Sequence, residues 1–259
     1  MSMNSYVKKG LYGVGALCAV FLLFVFLVLL KDGVEYLQIN RGTSIEHDGV
    51  FLAQRDTTYN IDGVEFKMIG IQGGTIWVDT WKGKTKLDDF YIGETEVTQE
   101  LWTAVMGENP SCHQGEANLP VENVSLDECL AFLDKMDSLT NKTFYLVSYP
   151  HWLYTRCLDN ELADGEGSDN DDFDDVAWLK KNSDKMTHPV KTKCPDRLGL
   201  YDMVGNVKEW TVDGSISMCF VTGGSYNTDI IAHNLETREM YYCELKDQEL
   251  GLRLMTVAE

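Results

Sequence analysis

Asn206 and Glu209 stand three residues apart beside Gly205, so a side-chain amide oxygen and a carboxylate flank a turn. Positive φ is open to glycine and tolerated by asparagine, which makes Gly205-Asn206 a natural place for the backbone to bend. With backbone carbonyls such as those of Val204 and Val207, the two side chains would form a hard oxygen cage of the type that holds Ca2+. The plainer alternative is that Asn206 only shapes the turn and Glu209 caps a neighbouring amide. A second acidic region, with nine acidic residues between Asp159 and Asp175, adds no cage. No glycine falls at the sixth position of a suitable Asp register, as an EF-hand loop requires, so a solvated loop is expected.

Thiol and imidazole chemistry are sparse. Six cysteines lie beyond Cys18: Cys112, Cys129, Cys157, Cys194, Cys219 and Cys243. No CxxC or Cys-His cluster has the spacing of a zinc site, and no two cysteines are five residues apart. Disulfides would be permitted outside the cytoplasm, but small buried hydrophobes are the expected role for most of them. The five histidines, His47, His113, His151, His188 and His233, fall in no HExxH motif, and no GxSxG elbow is present. His188 precedes Pro189 and reads as a packed loop residue. A formal net charge of −19 argues against the clustered Lys and Arg that nucleic acid demands.

The elements that would position these residues are readable in part. Val64, Phe66 and Met68 alternate like a half-buried strand, Gly73-Gly74 marks a turn before Thr75 to Val78, and Phe90 to Ile92 forms another short strand. Thr98 caps a helix over QELWTAVM that ends at Gly107. Ser125 and Glu128 form a capping box, and Leu126, Cys129, Leu130, Leu133 and Met136 line one face of a helix to about Leu139. Ser148 caps a third helix with Pro150 in its first turn and Trp152 and Leu153 buried, followed by loop beyond Cys157. Short strands are expected at Glu209 to Val212, Met218 to Val221, Arg238 to Cys243 and Leu252 to Val257.

Residues 10–30 carry no charge and are about long enough to cross a bilayer as a helix. Lys8 and Lys9 precede them, which places residues 1–9 in the cytoplasm. No small-x-small cleavage site follows Leu30, and Cys18 lacks a lipoprotein context, so an uncleaved anchor is expected. Residues 31–58 then form a polar stalk, and 59–259 form one α+β domain with much irregular structure. The expected location is a single-pass protein of a bacterial inner membrane, with the domain on the periplasmic or extracytoplasmic side.

The segment RLGLYDMVGNVKEW, from Arg197 to Trp210, resembles the sulfatase-modifying factor family, whose founding member is the formylglycine-generating enzyme. Gly223-Gly224-Ser225-Tyr226 and Gly251-Leu252-Arg253-Leu254 belong to the same pattern. So do Phe90 to Thr98, Leu101-Trp102, Gly107 to Ser111, Leu119 to Ser125 and Thr187-His188-Pro189-Val190, in the family's order. The resemblance implies the family fold, a divergent C-type-lectin-like domain that often carries calcium. Asn206 and Glu209 match one family calcium site, and Trp210 and Ser225 match residues lining the substrate groove.

The departures are as informative. The third helix reads LVSYPHWLYT where the family usually has LPTEAEWEYA, so Tyr149, His151 and Leu153 replace acidic residues. Lys208 replaces a tryptophan. The family oxidase binds Cu(I) through two cysteines five residues apart after its GGS motif, because this soft ion prefers sulfur. The matching positions here are Thr228 and His233, which supply no thiolate, so no copper is expected. The resemblance then implies a noncatalytic, membrane-anchored binding or scaffold module for a protein or glycan ligand. The alternatives are an oxidase with relocated cysteines, Cys219 and Cys243 being the pair that flanks the region, and a lectin-like receptor.

Overall fold

The computed structural model describes residues 43–46, 56–78, 83–162, 173–214, 218–229 and 238–257. The apolar run at 10–30, most of the stretch 31–58, and His233 lie outside them. Among the described residues no helix is long and apolar enough to cross a membrane.

Strand β1 (Thr43–Glu46) is followed by β2 (Thr57–Ile61) and β3 (Val64–Ile71). Asp62 and Gly63 join the latter two with φ of 49° and 90°, the two positive values that a tight hairpin turn requires. Next come β4 (Gly74–Val78), β5 (Gly83–Leu87) and β6 (Phe90–Gly93). β1, β4 and β5 form one sheet in the order β1-β4-β5. The polar stretch expected to be a stalk therefore contributes a strand, with Thr43 opposite Val78. A strand of four residues has too little periodicity to declare itself in sequence.

Helix α1 (Gln99–Met106) starts at Thr98, whose side chain accepts from Leu101 N–H, and ends at Gly107 with φ 89°. Helix α2 (Leu126–Thr140) has both halves of the Ser125–Glu128 capping box. Its buried residues are Cys129, Phe132, Leu133 and Met136, whereas Leu130 is exposed, so the apolar face is rotated from the expected one. After the short strand β7 (Tyr145–Leu146), helix α3 (Tyr149–Leu162) runs five residues past Cys157, into the stretch expected to be loop. Trp152, Leu153 and Tyr154 are all buried there.

The remaining elements are β8 (Lys208–Gly214), β9 (Met218–Thr222), β10 (Glu239–Tyr242), β11 (Leu250–Gly251) and β12 (Leu254–Val257). They complete a four-stranded sheet ordered β10-β9-β8-β11 and a five-stranded sheet ordered β2-β3-β6-β12-β7. Both faces of the five-stranded sheet are covered. Met68 and Leu254 join a core with Trp102, Phe132 and Trp210, while Ile69, Ile71 and Ile92 join another built around Trp152 and Tyr154. Alternate residues of one strand point to opposite faces, so the central strands β3, β6 and β12 serve both cores. The architecture is α+β with few helices, and most of residues 173–207 is turn and loop.

Candidate functional site

The loop from Asp196 to Val207 is held by its own side chains. Asp196 Oδ1 accepts the N–H groups of Leu198 and Leu200, and Lys191 N–H donates to Asp202 Oδ2 at 3.0 Å. Gly205 is required by crowding as well as by its φ of 84°, since a Cβ there would lie 2.2 Å from Trp178 O. That close approach lets Asn206 N–H donate to Trp178 O at 2.8 Å.

Asn206 is buried and bonded through both ends of its amide. Its Oδ1 accepts His188 N–H at 2.9 Å, and its Nδ2 donates to Glu96 Oε2 at 2.9 Å and to His188 O at 3.1 Å. Glu96 Oε1 accepts Val207 N–H at 2.9 Å, so one carboxylate holds two consecutive residues of the turn. His188 stacks on Trp178 with ring centroids 3.7 Å apart, the packed loop role expected of it.

Glu209 meets Arg253 instead of the turn. Arg253 Nε donates to Glu209 Oε1 at 2.8 Å, and the guanidinium also donates to Gly93 O, Tyr201 O and Asp202 O. Burial pushes the carboxyls of Glu96, Asp202 and Glu209 above their usual range, with Arg253 opposing the shift in each. Asp202 and Glu209 also disfavour each other's negative charge, to the extent that Asp202 raises Glu209.

The expected calcium cage of Asn206 and Glu209 fits only by half. The Asn206 amide oxygen already accepts one backbone N–H, so one of its two lone pairs is left for a cation. Glu209 Oε2 and Asp202 Oδ1, by contrast, are buried without a hydrogen-bond partner. Trp152 Nε1 faces the same Glu209 carboxylate but lacks hydrogen-bond geometry. Two orphaned carboxylate oxygens with raised pKa values are the donors a hard cation would neutralise. Among the described residues no three of His, Cys, Asp or Glu converge as a metal cluster, so backbone carbonyls such as those of Val204 and Val207 would have to complete the shell.

The turn after β9 carries Gly223 and Gly224 at φ 87° and 70°. Ser225 N–H donates to Thr228 Oγ1 at 2.9 Å, and Thr228 N–H returns a bond to Ser225 O. Ser225 Oγ donates to Glu249 Oε2 at 2.5 Å and Asn227 Nδ2 to Glu249 Oε1 at 2.9 Å. Lys208 lies beneath, donating to Tyr241 OH and Glu239 Oε2 at 2.8 and 2.9 Å, with Glu249 Oε2 at 3.8 Å. Burial opposes its charge, but those bonds outweigh burial and keep the ammonium protonated beyond the ordinary lysine range.

Neither residue expected to line a groove is open to solvent. Trp210 is buried, with Nε1 donating to Val124 O at 2.9 Å and its ring edge-on to Tyr241. Ser225 is equally buried. Cys219 and Cys243 are joined in a disulfide with Cα atoms 5.4 Å apart, tying β9 to the residue after β10. Cys129 is the small buried hydrophobe expected of most cysteines, whereas Cys112 and Cys194 are exposed thiols.

A further polar group adjoins the Ser225 turn. Glu122 is buried, accepts His113 N–H at 2.6 Å, and has its carboxyl pushed by burial to about 7. The His113 ring stands edge-on to Tyr226 at 5.1 Å. Sequence offered no signal for this contact, since 113 residues separate His113 from Tyr226 in neither motif nor period; only folding brings 113, 122 and 226 together.

The model of the sulfatase-modifying factor enzyme 1-like domain matches residues 60–258. The chain belongs to that family. A chaperone protein LppX of Paenibacillus barcinonensis is 27% identical over 174 residues, which cover 48% of this chain and 62% of the relative. The chain thus spans about three fifths of the length of that relative. Among solved structures, Treponema denticola variable protein 1 superposes with a TM-score of 0.66 at 26% identity, covering 79% of this chain and 100% of that one. PvdO from Pseudomonas aeruginosa gives 0.64 at 14% identity, covering 80% and 100%, and shares the fold. Of the two positions that the resemblance pairs with catalytic cysteines, Thr228 stabilises a turn, and His233 lies outside the described residues.

Proposed function

We propose that this sulfatase-modifying factor domain is a noncatalytic binding module, held outside the cytoplasm by the membrane anchor at residues 10–30. The observation that carries the reading is the bonding of Thr228. Where the family oxidase has its first copper thiolate, this hydroxyl accepts Ser225 N–H. Around it, Ser225, Asn227 and Glu249 make a hydrogen-bonded polar floor, with the Lys208 ammonium 3.8 Å from Glu249 Oε2. Such a floor holds a turn rigid and offers no soft ligand to Cu(I).

The oxidase alternative would need Cys219 and Cys243 as thiolates, and they are paired as a disulfide. A disulfide also agrees with an oxidising compartment. The similarity to a chaperone protein and to a variable protein supports binding over turnover, with a protein or glycan as the ligand class. The test is incubation of the protein with a sulfatase-type cysteine peptide, Cu(I) and reductant, followed by mass spectrometry for formylglycine.

The same reading includes one bound Ca2+, with Asp202 joining Glu209 in place of Asn206. Their unpartnered oxygens support this donor set. The cation would neutralise two buried carboxylates and so link the 197–207 loop to β8; it supplies no chemistry.

A further inference from the structure

Cys219 and Cys243 are 24 residues apart, and one residue of β10 connects the bond between them to the polar floor under the Ser225 turn. β10 is the edge strand of its sheet, so β9 is its only strand partner among the described residues. In the ladder Tyr241 stands opposite Cys219, and Cys243 comes two residues later. The disulfide therefore fixes the end of β10 that carries Tyr241. The other end is held by the Arg238 guanidinium, 4.1 Å from the Phe220 ring centroid. Cys243 O also accepts Leu126 N–H at 3.1 Å, which anchors the turn after β10 but not Tyr241 itself.

Both side chains that neutralise Lys208 come from this strand. Lys208 is buried, and its ammonium donates to Tyr241 OH and Glu239 Oε2. Burial works against the charge, and those two partners are what outweigh it. Next in reach is Glu249 Oε2 at 3.8 Å, the same oxygen that accepts Ser225 Oγ. The other oxygen of that carboxylate accepts Asn227 Nδ2. A continuous path of contacts thus runs from the disulfide through Tyr241, Lys208 and Glu249 to the turn. A buried ammonium that loses its partners is costly and takes the next carboxylate in reach. Here that carboxylate is the one holding Ser225 and Asn227.

We propose that the Cys219–Cys243 disulfide is a redox-sensitive control on the Ser225 turn. Its reduction frees Tyr241 and Glu239 from Lys208, and the ammonium then draws Glu249 off Ser225 and Asn227. The reductant is a protein dithiol. One of its thiolates attacks Cys243 Sγ, since Cys243 is half-buried and Cys219 is buried, and Cys219 leaves as a thiolate that takes up a proton. The second thiolate then displaces the Cys243 sulfur, which is protonated in turn. Two electrons pass to the Cys219–Cys243 bond, and the dithiol ends as a disulfide. This regulation rests on the Ser225 turn being part of the binding surface, whereas its test follows the turn without any ligand, so the two can fail separately.

The test is hydrogen–deuterium exchange, read by mass spectrometry on the full-length protein in detergent before and after reduction with dithiothreitol. Peptides covering residues 223–228 should exchange at least about tenfold faster in the reduced protein, the change expected when a charge-assisted hydrogen bond is lost. Those covering β3 and β6 should be unchanged. Lys208→Met removes the charge that transmits the effect, and reduction should then leave the turn protected. Glu239→Gln combined with Tyr241→Phe strips Lys208 of its partners with the disulfide intact, and it should loosen the turn without reductant. A turn equally protected in both redox states would overturn the proposal. So would faster exchange confined to residues 238–243, or an effect undiminished in Lys208→Met. Should reduction unfold the whole domain, so that β3 and β6 exchange as well, the oxidised double variant decides, and a protected turn there overturns the proposal.

Discussion

Arg253 Nε lies 2.8 Å from Glu209 Oε1, and both side chains are buried. This pair joins the segment between β11 and β12 to β8, and the same guanidinium ties in Gly93, Tyr201 and Asp202 through their carbonyls. One cation thus organises three stretches far apart in sequence. Removing one partner of a buried pair leaves the other charge uncompensated, at a cost of about 3–5 kcal/mol. Arg253→Ala should therefore lower unfolding free energy by about that much in urea titrations. A loss below about 1 kcal/mol would mean that the carboxylate finds another partner or is already protonated.

Calcium should raise the thermal midpoint relative to chelator, because a ligand bound only by the native state stabilises it by mass action. Asp202→Ala and Glu209→Gln should abolish the response. Asn206→Ala should lower the midpoint, since three hydrogen bonds are lost, yet keep the calcium increment. A wild-type midpoint indifferent to calcium would show that the orphaned oxygens of Asp202 and Glu209 hold no cation.

Glu122 makes a pH prediction of definite sign. Its folded pKa, about 7, is raised above the ordinary 4.5 by burial. The folded state holds this proton more tightly than the unfolded state does. Its contribution is therefore fully present below about pH 4.5 and is lost as pH rises toward 7. A shift of this size corresponds to about 3 kcal/mol. Glu122→Gln keeps an acceptor for His113 N–H and removes the titration, so its stability relative to wild type should rise by about that amount between pH 4.5 and 8. A difference that is flat with pH would place the Glu122 pKa near its ordinary value.

The Cys219–Cys243 disulfide closes a loop of 24 residues in sequence separation. In the loop-entropy picture this is worth about 3 kcal/mol. Thiol titration of the unfolded, unreduced protein should detect every cysteine except these two, and Cys243→Ser should lose about 3 kcal/mol of stability. Recovery of all thiols without reductant would remove the disulfide from the account.

Local signals were legible and distant ones were not. Thr98, Gly107 and the Ser125–Glu128 box mark helix ends because a cap is a contact over three or four residues. The strand at Val64–Ile71 and the turn at Gly205 were readable for the same reason. The short strand at Thr43–Glu46 and the extra turns of α3 depend on partners elsewhere in the chain. Site roles were misread by the same rule. Trp210 and Ser225 hold the correct positions in the motifs, but their burial follows from packing against Val124 and Glu249. The Asn206 side chain is claimed by His188 and Glu96, the latter 110 residues away, which no spacing within the turn reveals.

The most direct measurement of the noncatalytic reading is turnover of a sulfatase-type cysteine peptide, followed by mass spectrometry, with Cu(I), oxygen and a thiol reductant present. Reductant opens the Cys219–Cys243 pair, so the assay gives the relocated-cysteine alternative its best chance. The account predicts no formylglycine product from wild type, Cys219→Ser or Cys243→Ser. Turnover by the wild type that is lost in either cysteine variant would contradict it.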